Sequence, residues 1–195
     1  MVYFLTCACV DYYAGCLPLL KALRNAPIKP LHGKMAPKSR TKAYQWFKAQ
    51  EGGAVLLCTD VAARGLDIPD VDWIVQFDAP QDPNSFVHRV GRTARMGRSG
   101  QAVLFLRPRE EAYIHFLKLR KVPMQPLEPQ PDLPSLRAEL TQHLVADRAL
   151  MEGGAKAFVA YVRAYKEHHC GYIFQLDRLD LGALARCARC SRTCS

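Results

Sequence analysis

The sequence predicts an α/β fold in which a parallel sheet is covered by helices on both faces. Short apolar segments alternate with helical segments five times over about the first 120 residues, and this alternation is typical of βαβ units. Residues 54–58 form a continuous apolar run, as expected for a strand that is buried on both faces. Polar residues follow several predicted strands, and such sheets bind ligands beyond the carboxyl ends of their strands.

Apolar runs of strand length predict five strands. The first begins at Met1, with no chain leading into a buried strand, which suggests that the sequence is the tail of a longer protein. Thr6, His32, Thr59 and Asp60 fall at the carboxyl ends of three of these strands. The predicted strands span residues 2–5, 28–31, 54–58, 73–77 and 101–106.

The helices between these strands are predicted from apolar spacing and from start signals. Pro37 and Pro108 suit a first helical turn, Asp82 suits an N-cap, and Pro18 is expected to kink the helix that contains it. The predicted helices span residues 9–23 and 37–49, a segment from 82 into an arginine-rich stretch, and 108–119.

The C-terminal third of the chain differs in composition from the rest. Residues 123–134 contain five prolines, which predict a stiff, extended linker. Helices are predicted at 135–150 and 155–168, with a short last helix that Asp177 or Asp180 caps. About 60 residues is small for an independent fold, so this unit should pack on the first. The predicted organisation is a domain at 1–121, a linker at 122–134, a helical extension at 135–185 and a divergent tail at 186–195.

Four arginines recur at every third position in one stretch: Arg89, Arg92, Arg95 and Arg98. In a helix these like charges would crowd one another, and no acidic residue occurs between Asp82 and Glu110. A solvated basic helix face is one interpretation. The other is a polyanionic ligand (phosphate, nucleotide or RNA), because guanidinium groups grip phosphate oxygens bidentately. The net charge of +9 also favours nucleic acid as a partner.

The eight cysteines do not resemble a secreted disulfide framework, which favours a reducing compartment. Cys187, Cys190 and Cys194 supply three of the four ligands that a structural zinc requires, and no cysteine or histidine follows them. His168, His169 or Cys170 could in principle supply the fourth ligand, but we predict no metal site. No apolar run is long enough to span a bilayer, and no membrane partner is expected.

Two segments carry a specific resemblance. Residues 59–67 (Thr-Asp-Val-Ala-Ala-Arg-Gly-Leu-Asp) and 88–95 (His-Arg-Val-Gly-Arg-Thr-Ala-Arg) resemble the last two motifs of the DEAD-box RNA helicases. Residues 2–6 and 31–33 resemble the motifs that precede them, in the same order. The resemblance implies that residues 1–121 are the second of two RecA-like domains in an ATP-dependent RNA helicase.

The resemblance also implies a role for each residue that matches a motif. The catalytic arginine fingers would be Arg92 and Arg95. The ATP-binding residues would be Gly65, Asp67, Arg92 and Arg95. The RNA-binding residues would be Gly33, Arg40, Thr59 and Asp60. The residues that couple the ATP and RNA sites would be His88 and Arg89.

The implied cofactors are ATP and Mg²⁺. The Mg²⁺ would be held by a first RecA-like domain, because neither a G-x-x-x-x-G-K-[ST] loop nor a D-E-A-D motif occurs in this sequence. Residues 156–168, 172–174 and 179–182 resemble the C-terminal domain of nucleolar DEAD-box helicases that help assemble the large ribosomal subunit. The implied partners are pre-ribosomal RNA, the first domain and proteins of the pre-ribosomal particle, and the implied location is the nucleus and nucleolus.

Two other interpretations remain at this point. One is a stand-alone RNA-binding or regulatory module without ATPase activity. The other is a flavodoxin-like small-molecule enzyme, which fits the sheet pattern but gives the arginines no purpose.

Overall fold

Five strands form one parallel sheet: β1 (Val2–Tyr3), β2 (Ile28–Leu31), β3 (Val55–Cys58), β4 (Trp73–Gln76) and β5 (Gln101–Leu104). Their order in the sheet is β2-β3-β1-β4-β5. The protein is described here by a computed structural model, which covers residues 1–60, 71–94, 97, 99–128 and 134–188. The predicted α/β class and parallel sheet are confirmed. Two of the strands end where the sequence predicts, and the other three end one or two residues earlier.

Helices cover both faces of this sheet, as predicted. Among its described residues, the first domain has the helices α1 (Cys7–Cys16), α2 (Pro37–Lys48), α3 (Asn84–Val90) and α4 (Ala112–Leu119). Successive residues of β3 point to opposite faces: Leu56 packs with Ala43 of α2, whereas Leu57 packs with Val10 of α1. The unbroken apolar run in β3 is therefore explained by burial on both sides.

Helix α1 is shorter than the sequence predicts. Thr6 is its N-cap, and the Thr6 hydroxyl accepts a hydrogen bond from the Cys9 amide at 3.1 Å. The helix ends at Cys16, because Pro18 has no N–H with which to continue the hydrogen-bond ladder. Two 3₁₀ turns, Leu17–Leu19 and Lys21–Leu23, replace the predicted last turns.

The arginine-rich stretch is not one helix. Asp82 accepts a hydrogen bond from the Asn84 amide at 3.0 Å, but Pro83 occupies the cap position of α3. The helix ends at Val90, so Arg89 is helical and Arg92 lies in the turn that follows. The crowding that a continuous helix would cause therefore does not apply to Arg89 and Arg92.

The part of the extension that the structure describes contains three α-helices: α5 (Pro134–Ala146), α6 (Arg148–Lys166) and α7 (Leu181–Ala188). Helix α6 begins seven residues earlier than predicted, because the Asp147 carboxylate accepts hydrogen bonds from the Ala149 and Leu150 amides. Asp180 caps α7 through the Ala183 amide at 2.7 Å.

The extension packs on the first domain, as predicted. Ala157 of α6 and Leu144 of α5 share one apolar cluster with Val10 of α1. The α1–α6 approach is close, because a Cβ on Gly15 would stand 3.2 Å from a methyl carbon of Leu150. This contact joins the extension to the helix that follows β1.

Candidate functional site

The sheet order places a row of functional residues along one edge. At the carboxyl ends of β2, β3, β1, β4 and β5 lie, in that order, Gly33, Thr59, Thr6, Asp78 and Arg107. We call this row the carboxyl edge. Neighbouring strands are about 4.8 Å apart, so the five positions span roughly 19 Å. Residues from five separate parts of the chain thereby meet on one surface.

Arg89 is the centre of a buried network at this edge. Its guanidinium donates to both carboxylate oxygens of Asp60, at 2.6 and 2.9 Å. It also donates to the Asp78 carbonyl oxygen at 2.7 Å and to the Gln76 side-chain oxygen at 3.3 Å. The Tyr3 ring lies beneath it, with 4.8 Å from the guanidinium carbon to the ring centroid. Only 1% of Arg89 is exposed, so its charge is satisfied inside the protein.

This network changes the interpretation of Asp60. The sequence predicts an RNA contact for Asp60, but both of its carboxylate oxygens bind Arg89. A carboxylate is also a poor partner for an anionic phosphate. The geometry favours Asp60 as the residue that holds Arg89 in place.

Arg92 has a different environment from Arg89. None of the ion pairs among the described residues involves Arg92, and its buried Nε has no hydrogen-bond partner there. The Arg92 carbonyl accepts from the Val71 amide at 3.1 Å, and the Thr93 hydroxyl donates to the Val71 carbonyl. These bonds tie the turn to the amino end of β4, away from the carboxyl edge.

Arg89 and Arg92 nevertheless act on a common neighbour, Tyr3. Burial raises the pKa of the Tyr3 hydroxyl well above its ordinary value, and the nearby Cys58 adds to the rise. The positive charges of the two arginines oppose it. Both guanidinium groups therefore lie near Tyr3, but only the Nε of Arg92 has no hydrogen-bond partner among the described residues.

The predicted RNA-binding positions differ in their exposure and in their hydrogen bonding. Thr59 is 5% exposed, and its hydroxyl has no hydrogen-bond partner among the described residues. Gly33 is exposed, and Arg40 on α2 is half-buried. His32, beside Gly33, is held by Asp11, with 2.7 Å between the His32 Nε2 and the Asp11 carboxylate. This pair fixes the strand end that presents the Gly33 backbone.

Several predicted site residues fall outside the described residues: Gly65, Asp67 and Arg95. His88 is described and lies exposed on α3, beside the buried Arg89. Within the described ranges, no group of three or more histidine, cysteine, aspartate or glutamate side chains could hold a metal ion. Cys190 and Cys194 lie beyond those ranges. None of the helices in the described part is long and apolar enough to cross a bilayer.

A second network, which no sequence pattern predicts, joins the extension to the carboxyl edge. Glu110 is buried, and its Oε1 accepts from the Arg107 guanidinium and from the Tyr165 hydroxyl, both at 2.8 Å. The Arg107 guanidinium also donates to the Tyr161 hydroxyl at 2.9 Å. Gln81, in the loop after β4, donates to the carbonyls at the end of α6. The extension is thereby bonded to the segment that leads from β4 into α3.

Replacing Tyr165 with phenylalanine removes one hydrogen bond to the buried Glu110 carboxylate. We expect the free energy of unfolding to fall by about 1.5–3 kcal/mol, as for other hydrogen bonds to charged groups. Urea denaturation measures this change. Tyr172→Phe is the matched control, because Tyr172 is 66% exposed, and it should change stability by less than about 0.5 kcal/mol. Equal effects of the two substitutions would contradict the network.

Comparisons with known proteins agree with this geometry. A family model for the helicase conserved C-terminal domain matches residues 1–97, and one for the C-terminal extension of SPB4-like ATP-dependent rRNA helicases matches residues 147–187. The chain is 54% identical over 184 residues to DEAD-box ATP-dependent RNA helicase 18 of Oryza sativa subsp. japonica, covering 94% of this chain and 28% of that protein. It is 48% identical over 187 residues to ATP-dependent RNA helicase DDX55 of Homo sapiens, covering 95% and 30%.

Among solved structures, the chain is similar to Mss116p DEAD-box helicase domain 2 bound to an RNA duplex. The TM-score is 0.78 at 25% identity, covering 96% of this chain and 71% of that one. The fold and the site therefore define a RecA-like helicase C-terminal domain, and the chain belongs to the DEAD-box RNA helicases. Within that family it carries the SPB4-like C-terminal extension. The chain spans less than a third of the length of the rice and human relatives.

Proposed function

We propose that this chain is the C-terminal half of an ATP-dependent DEAD-box RNA helicase, and that it completes a nucleotide site whose other wall lies on a first RecA-like domain. The contrast between two neighbouring arginines carries this proposal. Arg89 is buried and donates four hydrogen bonds, whereas Arg92, three residues on, has a buried Nε without a partner in the described part of the chain. An arginine left with donor capacity suits an anion supplied from outside.

In this proposal Arg92 and Arg95 are the arginine fingers. Gly65 and Asp67 contribute further to the ATP site. The residues present fit a triphosphate, because a guanidinium binds phosphate oxygens bidentately and keeps its charge. ATP supplies the phosphoryl group whose transfer drives the helicase, and Mg²⁺ belongs to the first domain. His88 and Arg89 connect the nucleotide side to the carboxyl edge, since Arg89 bonds both Asp60 and the segment after β4.

The carboxyl edge is the RNA track in this proposal. The Thr59 hydroxyl, which has no partner among the described residues, the exposed Gly33 backbone and the Arg40 guanidinium are suited to backbone phosphates. Asp60 supports them by holding Arg89. Contacts of this kind fix position and grip without reading sequence. The SPB4-like extension supports a role in large-subunit ribosome assembly, with pre-ribosomal RNA and pre-ribosomal proteins as partners and the nucleolus as the location.

The alternative of a stand-alone RNA-binding or regulatory module gains no support from the relatives, which are named as ATP-dependent RNA helicases. The flavodoxin-like interpretation is wrong, because the chain belongs to the DEAD-box family.

The RNA track is tested by the salt dependence of binding. The association constant of the chain for single-stranded RNA should fall with salt by about 0.7 in log–log slope for each phosphate that a basic residue neutralises. Arg40→Gln should lower that slope by about 0.7. Arg24→Gln is the control, because Arg24 is exposed and precedes β2, at the opposite end of the strands. Fluorescence anisotropy across a salt series measures both, and a slope near zero for the unaltered chain would contradict the proposal.

A further inference from the structure

A cavity of about 280 Å³ lies at the β4–β5 end of the carboxyl edge, between the sheet and the extension. The sheet contributes the segments after β1, β4 and β5, and the extension contributes α6 and the loop that follows it. The volume lies just below the range of about 300–1,000 Å³ that is typical of small-molecule sites, so the cavity suits a single heterocycle. Its lining includes Leu5, Phe77, Asp78, Phe105, Glu110 and Tyr165.

The strand order determines what reaches this cavity. The proposed RNA-binding residues lie at the ends of β2, β3 and β1, and the cavity begins at Leu5, directly before Thr6. An RNA strand that crosses the edge from β2 to β1 therefore meets β4 and β5 next. The cavity continues the proposed track without a change of direction.

Two exposed aromatic rings stand at this end of the sheet. Phe77 is 42% exposed and Phe105 is 55% exposed, and their ring centroids are 6.2 Å apart. Phe77 is supported from below by Phe4 and Tyr13, at 5.1 and 5.4 Å between centroids. Rings that are held in place and partly open to solvent are suited to stacking on a nucleobase.

The charges in the cavity favour a base over a phosphate. Both carboxylate oxygens of Glu110 already accept hydrogen bonds. Oε1 accepts from the Arg107 guanidinium and the Tyr165 hydroxyl, and Oε2 accepts from the Arg107 amide. The Asp78 carboxylate receives one hydrogen bond within the described residues, from the Leu5 amide to Oδ2 at 2.9 Å. Its Oδ1 has no hydrogen-bond donor among the described residues, and Asp78 lines the same cavity as Phe77 and Phe105. Such an acceptor matches the exocyclic amino group of adenine, cytosine or guanine and repels a phosphate.

The remaining polar ring in the lining is neutral. His168 stacks on Phe174, with 3.7 Å between ring centroids. Burial, with a smaller contribution from the neighbouring His169, lowers the pKa of His168 to about 4. The cavity therefore presents aromatic surfaces, one available carboxylate oxygen and no cation that is free of a carboxylate partner among the lining residues described.

We propose that this cavity binds one unstacked RNA base that carries an amino group, with Phe77 and Phe105 stacking on the ring and Asp78 accepting from the amino group. The proposal rests on the proposed RNA-binding function and adds a base-specific contact to a track that otherwise contacts phosphates. The extension then takes part in binding RNA by closing one wall of the cavity.

The test uses the 195-residue chain and single-stranded RNA nonamers, either intact or with all bases replaced by abasic sites. Stacking on one base typically changes affinity by about 5- to 150-fold, and we expect Phe105→Ala to weaken binding of the intact RNA by at least about 5-fold. The Phe105→Ala variant should bind the abasic RNA as tightly as the unaltered chain does. Phe105→Trp should restore affinity for intact RNA, and Tyr172→Ala, which removes an exposed ring that does not line the cavity, should have no effect.

The proposed contact between Asp78 and the amino group of the base is tested separately. The unaltered chain should prefer oligo-A and oligo-C to oligo-U, and Asp78→Asn should reduce that preference, since an amide can also donate to the uracil carbonyl. Equal binding of intact and abasic RNA by the unaltered chain would overturn the cavity proposal while leaving the phosphate track in place. Absence of salt-dependent RNA binding altogether would instead overturn the proposed function.

Discussion

Replacing Arg92 with alanine, in a protein that joins this chain to a first RecA-like domain, should lower kcat for ATP hydrolysis by about 10³–10⁵-fold. The effect is large because an arginine finger acts on charge that spreads over the γ-phosphate oxygens in the transition state. Arg92 is equipped for this, because its half-buried guanidinium has no carboxylate partner within ion-pair distance among the described residues. Steady-state hydrolysis in saturating RNA measures the change.

The matched control is Arg163→Ala, which removes an exposed arginine on α6 and should leave kcat within about 2-fold of the unaltered protein, as for a surface substitution away from the site. RNA affinity should change much less than kcat for Arg92→Ala, because Arg92 lies at the amino end of β4. Arg92→Lys should not restore turnover, since an ammonium cannot form the bidentate contact. Near-normal hydrolysis by Arg92→Ala would remove Arg92 from the catalytic site.

The sequence predicts the sheet because its signals are local. The alternation of apolar and helical segments, and the run that forms β3, can be recognised without knowing what packs against them. The order of the strands is not local. β1 lies between β3 and β4, so Thr6 stands between the residues that follow those strands, and no pattern within any one segment shows this.

In the candidate site, too, local sequence motifs identify the residues, but only the fold shows how they pair. The motifs indicated Asp60, Arg89 and Arg92 as functional, but the pairing of Asp60 with Arg89 across 29 positions follows only from the fold. One sequence signal for this buried network was available. Gln76 is a polar residue at the end of an otherwise apolar strand, and its side chain is fully buried. The roles of Gly65, Asp67 and Arg95 stay predictions, because they lie outside the described residues.

The extension shows where local signals mislead. Glu152-Gly153-Gly154 resembles a helix break in sequence, yet α6 runs through it from Arg148 to Lys166. Packing against α1 compensates for the low helix propensity of the two glycines, since Gly154 is buried and Gly153 faces Tyr12. The network of Glu110, Arg107 and Tyr165 joins positions 55 residues apart and could not be read from either segment alone.

Replacing Arg89 with methionine should strongly destabilise the protein, because the Arg89 guanidinium is the centre of the buried network. Arg89→Met leaves the Asp60 carboxylate without its partner, and it also leaves Gln76 and the Asp78 carbonyl without a donor. Breaking one side of a buried ion pair costs about 3–5 kcal/mol. Because 25% of the Asp60 side chain is exposed, we expect a loss near the lower end, about 3 kcal/mol, measured as the free energy of unfolding in urea.

Asp60→Ala should lower the free energy of unfolding more than Arg89→Met does, because it leaves a guanidinium that is only 1% exposed without its carboxylate partner. Asp60→Asn combined with Arg89→Met should be less destabilising than the sum of the two single changes, since the double variant contains no unpaired charge. Arg148→Ala provides the control. It removes a surface pair in which Arg148 is 87% and Glu152 is 53% exposed, and such pairs contribute at most about 1 kcal/mol. If Arg89→Met cost no more than Arg148→Ala, the buried network would not be what holds α3 against the carboxyl edge.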